Sequence, residues 1–357
     1  MAETPGGTPQ TPIIQQTDFE KITQLVSAHF QSEESLLENG IPTYYLKQPQ
    51  ETKQAFLKLL KTLEPMNLIA ILRKADGKVV LRVGPKPSVR KSNVLVNWAL
   101  FFATVATTFA TGYILSIDLV GTIPLVGAVS FTVAIMAILG SHEMGHKLTA
   151  NKNGVEATPP YFIPGPPPIG ELLGIGTFGA VIMQKSLPPN RDALFDVGSS
   201  GPIVGFIIAL IATIVGLMLS PILPIKGGES FIPSPLIFQL FAIFLIKLPA
   251  NHYMALHPVA FAGWAGMLVT MLNLLPAGQL DGGHVVRSVL SGKGQTVLTV
   301  LSILFLLIEG FWPMAFFVVL VSMYKDPGPL DDVSGLSNGR KLIAIGLVAI
   351  FILCSLL

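Results

Sequence analysis

Pro124 to Gly140 contains no charged residue, yet it runs directly into Ser141-His142-Glu143-Met144-Gly145-His146. Few sequence features restrict a fold so strongly. A run this apolar belongs in a core or in lipid, and ionisable residues at its end are costly enough to count as a functional hypothesis by default. On a helix, His142 and His146 are four residues apart and project from one face, one turn apart. Two imidazoles at that spacing bind one zinc ion, and Glu143 stands where it takes a proton from an attacking water. The plainer reading is a helix end at an interface, with two histidines reaching towards water.

Composition supports the lipid setting. Half of the chain (51%) is hydrophobic and only 12% is charged, against about 25% charged in ordinary globular domains. The expected fold is a polytopic α-helical membrane protein with a small N-terminal α+β soluble domain. The net charge of +2 comes without any basic patch interleaved with aromatics, so no nucleic-acid partner is expected. The single cysteine, Cys354, excludes an intrachain disulfide and a cysteine zinc site. Any metal must be held by His, Asp or Glu. Residues 1–16 are polar and rich in Pro, Thr and Gln; they read as a disordered tail, without the basic start and apolar core of a secretory signal.

Residues 17–90 read as the soluble domain. Helical spacing covers Asp18 to Phe30 and Glu51 to Leu63. Ile41 to Leu46 is strand-like, and Asn67–Arg73 and Lys78–Val83 form a hairpin across Ala75-Asp76-Gly77. Lys86, Arg90 and Lys91 then precede a first span, about 94–116, and place this domain on the cytoplasmic side. A second span, about 123–150, returns inward and carries the histidines near its cytoplasmic end, followed by Lys147 and Lys152.

Six prolines between Pro159 and Pro168 forbid a regular helix, and the Gly-rich run 174–183 is too short to span. This stretch reads as a β-hairpin or re-entrant segment beside the site, whose strand edge would suit an extended substrate; a plain interfacial loop is the alternative. The third span is about 193–219, with Gly198-Ser199-Ser200-Gly201-Pro202 allowing close helix approach. Leu236 to Leu248 is too short to cross and reads as a half-helix. His252 and His257 near it fall at the wrong face for the metal. The fourth span is about 255–276. Glu309-Gly310-Phe311-Trp312-Pro313 divides 296–324 into a hairpin of two short helices, with one interrupted span as the alternative. A last span follows Arg340-Lys341. About seven spans result.

Asn273-Leu274-Leu275-Pro276-Ala277-Gly278-Gln279-Leu280-Asp281-Gly282-Gly283-His284 is the second informative stretch. Its Pro and Gly residues break a helix at the end of an apolar span. Two imidazoles leave zinc short of ligands and charge, and a carboxylate completes the usual three-ligand arrangement with water fourth. Asp281 is the candidate; the competing role is N-cap of the helix that follows. His284 would close the site to water if it were a fourth ligand, so it reads as an outer residue.

The two motifs together resemble the site-2 protease family of intramembrane zinc metalloproteases, peptidase family M50. The resemblance covers about 94–290, and the tail with Pro327 to Asp332 looks like the chloroplast and prokaryotic branch. It implies zinc bound by His142, His146 and Asp281, Glu143 as catalytic acid/base, and Asn273 near the substrate. Many members carry an Asn a few residues after the Gly-Pro of the third span; here Val204-Gly205-Phe206 follow. The expected organisation is a 1–16 tail, a 17–90 soluble domain, a 94–290 intramembrane metalloprotease core and 291–357 C-terminal transmembrane helices. The expected activity is zinc-dependent hydrolysis of peptide bonds in a transmembrane protein substrate within a lipid bilayer. An inactive zinc-binding scaffold and an ion-coupled transporter are the alternatives. The sequence does not fix the oligomeric state.

Overall fold

The computed structural model describes residues 16–88, 92–170, 174–227, 231–246, 248–290, 292–323 and 326–356. The tail expected at 1–16 therefore lies, apart from Gln16, outside the described residues, as do Arg90 and Lys91 of the first basic cluster. The chain divides into two compact units.

The first unit takes the described residues up to Ser88 together with Pro189–Arg191 and Gly328–Gly335. Its elements are α1 (Gln16–Ser27), β1 (Ser32–Glu38), β2 (Ile41–Leu46), α2 (Lys53–Leu63), β3 (Leu68–Ala75) and β4 (Lys78–Pro85). The strands form one antiparallel sheet in the order β1-β2-β4-β3. Helix α2 buries Phe56, Leu59 and Leu63, spaced three and four apart, so a single stripe faces the core. The β3–β4 turn places Asp76 (φ 50°) and Gly77 (φ 81°) in the left-handed region, as a two-residue hairpin requires. Strand β1 was not legible in sequence: Ser-Glu-Glu-Ser-Leu-Leu-Glu lacks the alternation of a half-buried strand, and its pairing with β2 defines it. The helix expected to run to Phe30 ends at Ser27.

The outer edge of β3 is occupied. Leu72 N–H donates to the Leu330 carbonyl (2.9 Å), and Asp332 N–H donates to the Leu72 carbonyl (3.2 Å). Asp331 N–H in turn donates to the Pro189 carbonyl (3.0 Å), and Arg191 Nε bonds Asp332 Oδ1 at 3.1 Å. Two short segments, far apart in sequence, thus complete a unit that a linear division at residue 90 does not anticipate. They also cover an edge that would otherwise present unpaired backbone groups.

The second unit is helical. Helices α3 (Val94–Ser116) and α4 (Pro124–Lys152) lead to a strand pair, β5 (Tyr161–Pro164) and β6 (Thr177–Val181). After it come α5 (Arg191–Leu219), α6 (Leu236–Phe241, continued by a π-helical turn to Ile246), α7 (Pro258–Leu274), α8 (Asp281–Val289), α9 (Gly292–Ile308), α10 (Trp312–Ser322) and α11 (Asn338–Cys354). Helices α3, α4 and α5 are long and apolar enough to cross a membrane. The segment expected as a half-helix is short, and 296–324 is two helices that pack together across a turn at Gly310 (φ 79°).

The core lies where α4 meets α7 and α3. Phe131, Ile135, Ile138 and Leu139 of α4 are buried with Phe261, Trp264 and Met267 of α7, and the Phe131 and Phe261 rings stack 6.1 Å apart. This stripe on α4, continued two turns further, is the one that carries His142, Glu143 and His146. The Pro-rich segment is tied to α3 rather than loose. Asn97 Nδ2 donates to the Pro160 carbonyl (2.9 Å), and Thr107 Oγ1 donates to the Gly176 carbonyl (2.6 Å). Backbone that cannot be helical is thereby satisfied within the protein, as an apolar setting demands.

Candidate metal centre and active site

Helix α4 is unbroken through the motif, so His142 and His146 leave one face and their rings sit 4.8 Å apart. Both are buried. Asp281 arrives by a different route. Helix α7 stops at Leu274, where Pro276 lacks the N–H that a continuing helix would need. The chain turns through 275–280 and restarts as α8, with Asp281 its first residue. The turn is tight: a methyl group on Gly282 would lie 2.2 Å from the Leu274 carbonyl oxygen. The cap position of α8 belongs to Leu280, not Asp281, so the aspartate side chain is not consumed as an N-cap.

The result is a convergence of three donor atoms. His142 Nε2 lies 3.1 Å from Asp281 Oδ2, His146 Nε2 lies 3.1 Å from the same oxygen, and the two Nε2 atoms are 3.0 Å apart. The His146 ring presents its Nδ1 to the Val197 carbonyl of α5 at 2.7 Å. A carbonyl only accepts, so Nδ1 donates its proton there, and in the neutral ring this leaves the Nε2 lone pair for a metal ion. Electron-rich atoms packed this closely call for a shared cation. Zinc held about 2 Å from each ligand in tetrahedral geometry sets ligand–ligand edges of about 3.3 Å, close to those observed. The donor set fits such an ion. Among the described residues, His142, His146 and Asp281 are the group whose donors converge in this way.

Glu143 is buried on the same turn, with Oε1 4.0 Å from His142 Nε2. It is beside the donors but not one of them. Strand β6 packs against α4, the helix that carries Glu143, and Ile182 is the residue just past that strand. The strand pair therefore lies against the helix of the histidines. Asn273, in the last turn of α7, brings Nδ2 to 3.3 Å from His142 Nε2. The other histidines stay apart. His284 Nδ1 is 3.6 Å from Asp326 Oδ2, His257 accepts from Val259 N–H at the start of α7, and His252 Nδ1 bonds the Ala250 carbonyl.

Two contributions from α5 were not assigned from the sequence. One is the Val197 carbonyl, which no residue-type pattern announces because every residue has one. The other is the absence of side chains. A methyl group on Gly201 would lie 2.1 Å from His146 Nε2, and one on Gly205 would lie 2.9 Å from His142 Nδ1. The helix backbone therefore rests against both imidazoles. The small-residue run 198–202 signalled close approach, without saying what approaches.

Comparisons with known proteins are concordant. A family model described as Peptidase family M50 matches residues 130–308, half of the chain. The chain is 31% identical over 222 residues to "Probable zinc metalloprotease EGY2, chloroplastic" of Arabidopsis thaliana, covering 60% of this chain and 39% of that protein. It is 31% identical over 243 residues to the Arabidopsis "Probable zinc metalloprotease EGY1, chloroplastic", covering 64% and 43%. A protein of that same name from Oryza sativa subsp. japonica is 30% identical over 230 residues, covering 61% and 38%. The chain thus spans about two fifths of the length of the relatives it matches. No solved structure matches it.

Proposed function

This chain belongs to peptidase family M50, and from that premise we propose that it is an intramembrane zinc metalloendopeptidase acting on membrane-embedded protein substrates. The observation that carries the reading is the meeting of His142 Nε2, His146 Nε2 and Asp281 Oδ2 at about 3 Å separations beside a buried Glu143. His142, His146 and Asp281 are the proposed zinc ligands. Zinc held there supplies Lewis-acid chemistry, acidifying water towards a pKa of about 7 and polarising a carbonyl. Glu143 is the proposed general base: it takes the proton of the attacking water and delivers it to the leaving amine. Asn273 is placed to hold the substrate beside His142. A scaffold or a transporter gives no reason for a carboxylate set 4.0 Å from a ligand nitrogen without joining the donor cluster.

The substrate is proposed to be a transmembrane segment that unwinds before cleavage, since a helical peptide bond is shielded by its own hydrogen bonds. Among the described residues β6 pairs with one strand, β5, and its other edge is the proposed acceptor of an extended chain; β6 also packs against α4, the helix of Glu143. In this reading α3, α4, α5, α7, α9, α10 and α11 are seven spans, the shorter ones tilted little or flanked by thinned bilayer. Positive-inside bias from Lys86, Lys147, Lys152, Arg340 and Lys341 places the N-terminal unit and the catalytic end of α4 on the cytoplasmic side. The test is cleavage of a model membrane substrate by the purified full chain in liposomes. Cleavage is expected to vanish with a zinc chelator and to return with added zinc. Undiminished cleavage by metal-free protein would overturn the proposal.

A further inference from the structure

The family match ends at residue 308, and α11 lies beyond it. Yet the first turn of α11 is tied to the helix that seats both histidines. Arg340 forms a two-pronged pair with Asp196 of α5: Nε donates to Oδ1 at 2.7 Å and Nη2 to Oδ2 at 2.6 Å. Its third nitrogen, Nη1, donates to Asp192 Oδ2 at 3.0 Å. The same aspartate receives Ser337 Oγ at 2.6 Å and Ser337 N–H at 3.0 Å. Asp192 and Asp196 are four apart, so they share one face of α5 and α11 grips both. The residue after Asp196 is Val197, whose carbonyl holds His146 Nδ1.

We infer that Arg340 is a positioning residue for the metal centre, acting through Asp192 and Asp196 on the turn of α5 that holds His146. The inference rests on the reading of His146 as a ligand. The physical reason lies in the shape of α5. Towards the imidazoles it presents Gly201 and Gly205, a surface without side chains that could key its rotation. Helix Cα atoms sit about 2.3 Å from the axis, so a roll of about 20° shifts them by about 0.8 Å. Sites of this kind tolerate about 0.5 Å. A guanidinium fork on a carboxylate is directional, which a point charge is not. It fixes the roll angle that a smooth glycine face leaves free. The apolar contacts alongside, Phe195 with Leu336 and Leu347, hold the two helices together but slide more easily than the fork.

The test uses the full chain in detergent micelles, with zinc affinity and the visible absorption of the cobalt-substituted protein as readouts besides activity. His146→Ala sets the scale for a lost ligand. Arg340→Met is expected to weaken zinc binding about tenfold, at the low end for residues that support metal ligands, and to alter the cobalt bands. Arg340→Lys keeps the charge without the fork and is expected to fall between Arg340→Met and wild type. Wild-type affinity and an unchanged cobalt spectrum in a folded Arg340→Met protein overturn the positioning role. Should Arg340→Met not accumulate folded, Arg340→Lys with Ser337→Ala carries the test, and wild-type values for both overturn it. Wild-type protein that binds no zinc sinks the metal-centre reading itself, which is a different failure.

Discussion

The two halves of the site are built on opposite principles. His142, Glu143 and His146 come from one uninterrupted helix, α4, and their relative placement follows from helical geometry alone. Asp281 comes from a chain that stops being helical at Leu274, turns, and restarts. The first half is periodic and robust: any sequence that keeps α4 helical keeps the two imidazoles on one face. The second half depends on close backbone contacts around Gly282 and on where α7 docks against α4. One half supplies two imidazoles and a carboxylate, the other a second carboxylate. A regular element suffices to pair two side chains on one face, whereas bringing a third from far away in sequence requires breaking an element at a chosen depth.

Substitutions on either half probe that contrast. Glu143→Gln on the regular half should leave zinc bound and reduce cleavage by at least about 100-fold, the scale of a lost general base. Metal content by mass spectrometry alongside cleavage rate checks this, and loss of zinc in the variant would show that Glu143 belongs to the donor set. Asp281→Ala on the broken half should weaken zinc binding by more than the roughly 10–100-fold that supporting residues cost. Retention of wild-type affinity would mean that the turn is structural and the two histidines suffice. Gly201→Ala tests the wall common to both halves. Its methyl group would stand 2.1 Å from His146 Nε2, so overpacking of about 1–3 kcal/mol is expected, read as lower thermal stability with weakened zinc binding. Asn273→Ala should act least, raising KM about 2–10-fold, the worth of one net hydrogen bond. Zinc content should not move; a loss of metal there would reassign Asn273 from substrate to ligand support.

Much of the helical unit was legible because its signals are local. The charge-free run before Ser141 and the apolar stretch at 94–116 mark α4 and α3 closely, and Glu309-Gly310 marks the break between α9 and α10. The sheet-bearing unit was less so. Its helices and the Asp76-Gly77 hairpin carry recognisable patterns, but β1 is an edge strand of mostly polar residues whose identity comes from its partner. Nothing in Leu330-Asp331-Asp332 announces that it pairs with Leu72, because a backbone hydrogen bond leaves no mark on residue type.

The same division runs through the site. Sequence alone determined the chemistry on offer, namely two imidazoles a turn apart, an adjacent carboxylate, and an aspartate in a helix-breaking turn. These follow from residue type and a spacing of four, which are local quantities. Tertiary structure decided that Asp281 stands 3.1 Å from both Nε2 atoms rather than capping α8. It also decided that the Val197 carbonyl orients His146, that bare glycine backbone walls the site, and that Arg340 braces α5 from beyond the family segment. Each of those depends on how helices dock, which arises from the whole packed core and is written in no single stretch of the chain.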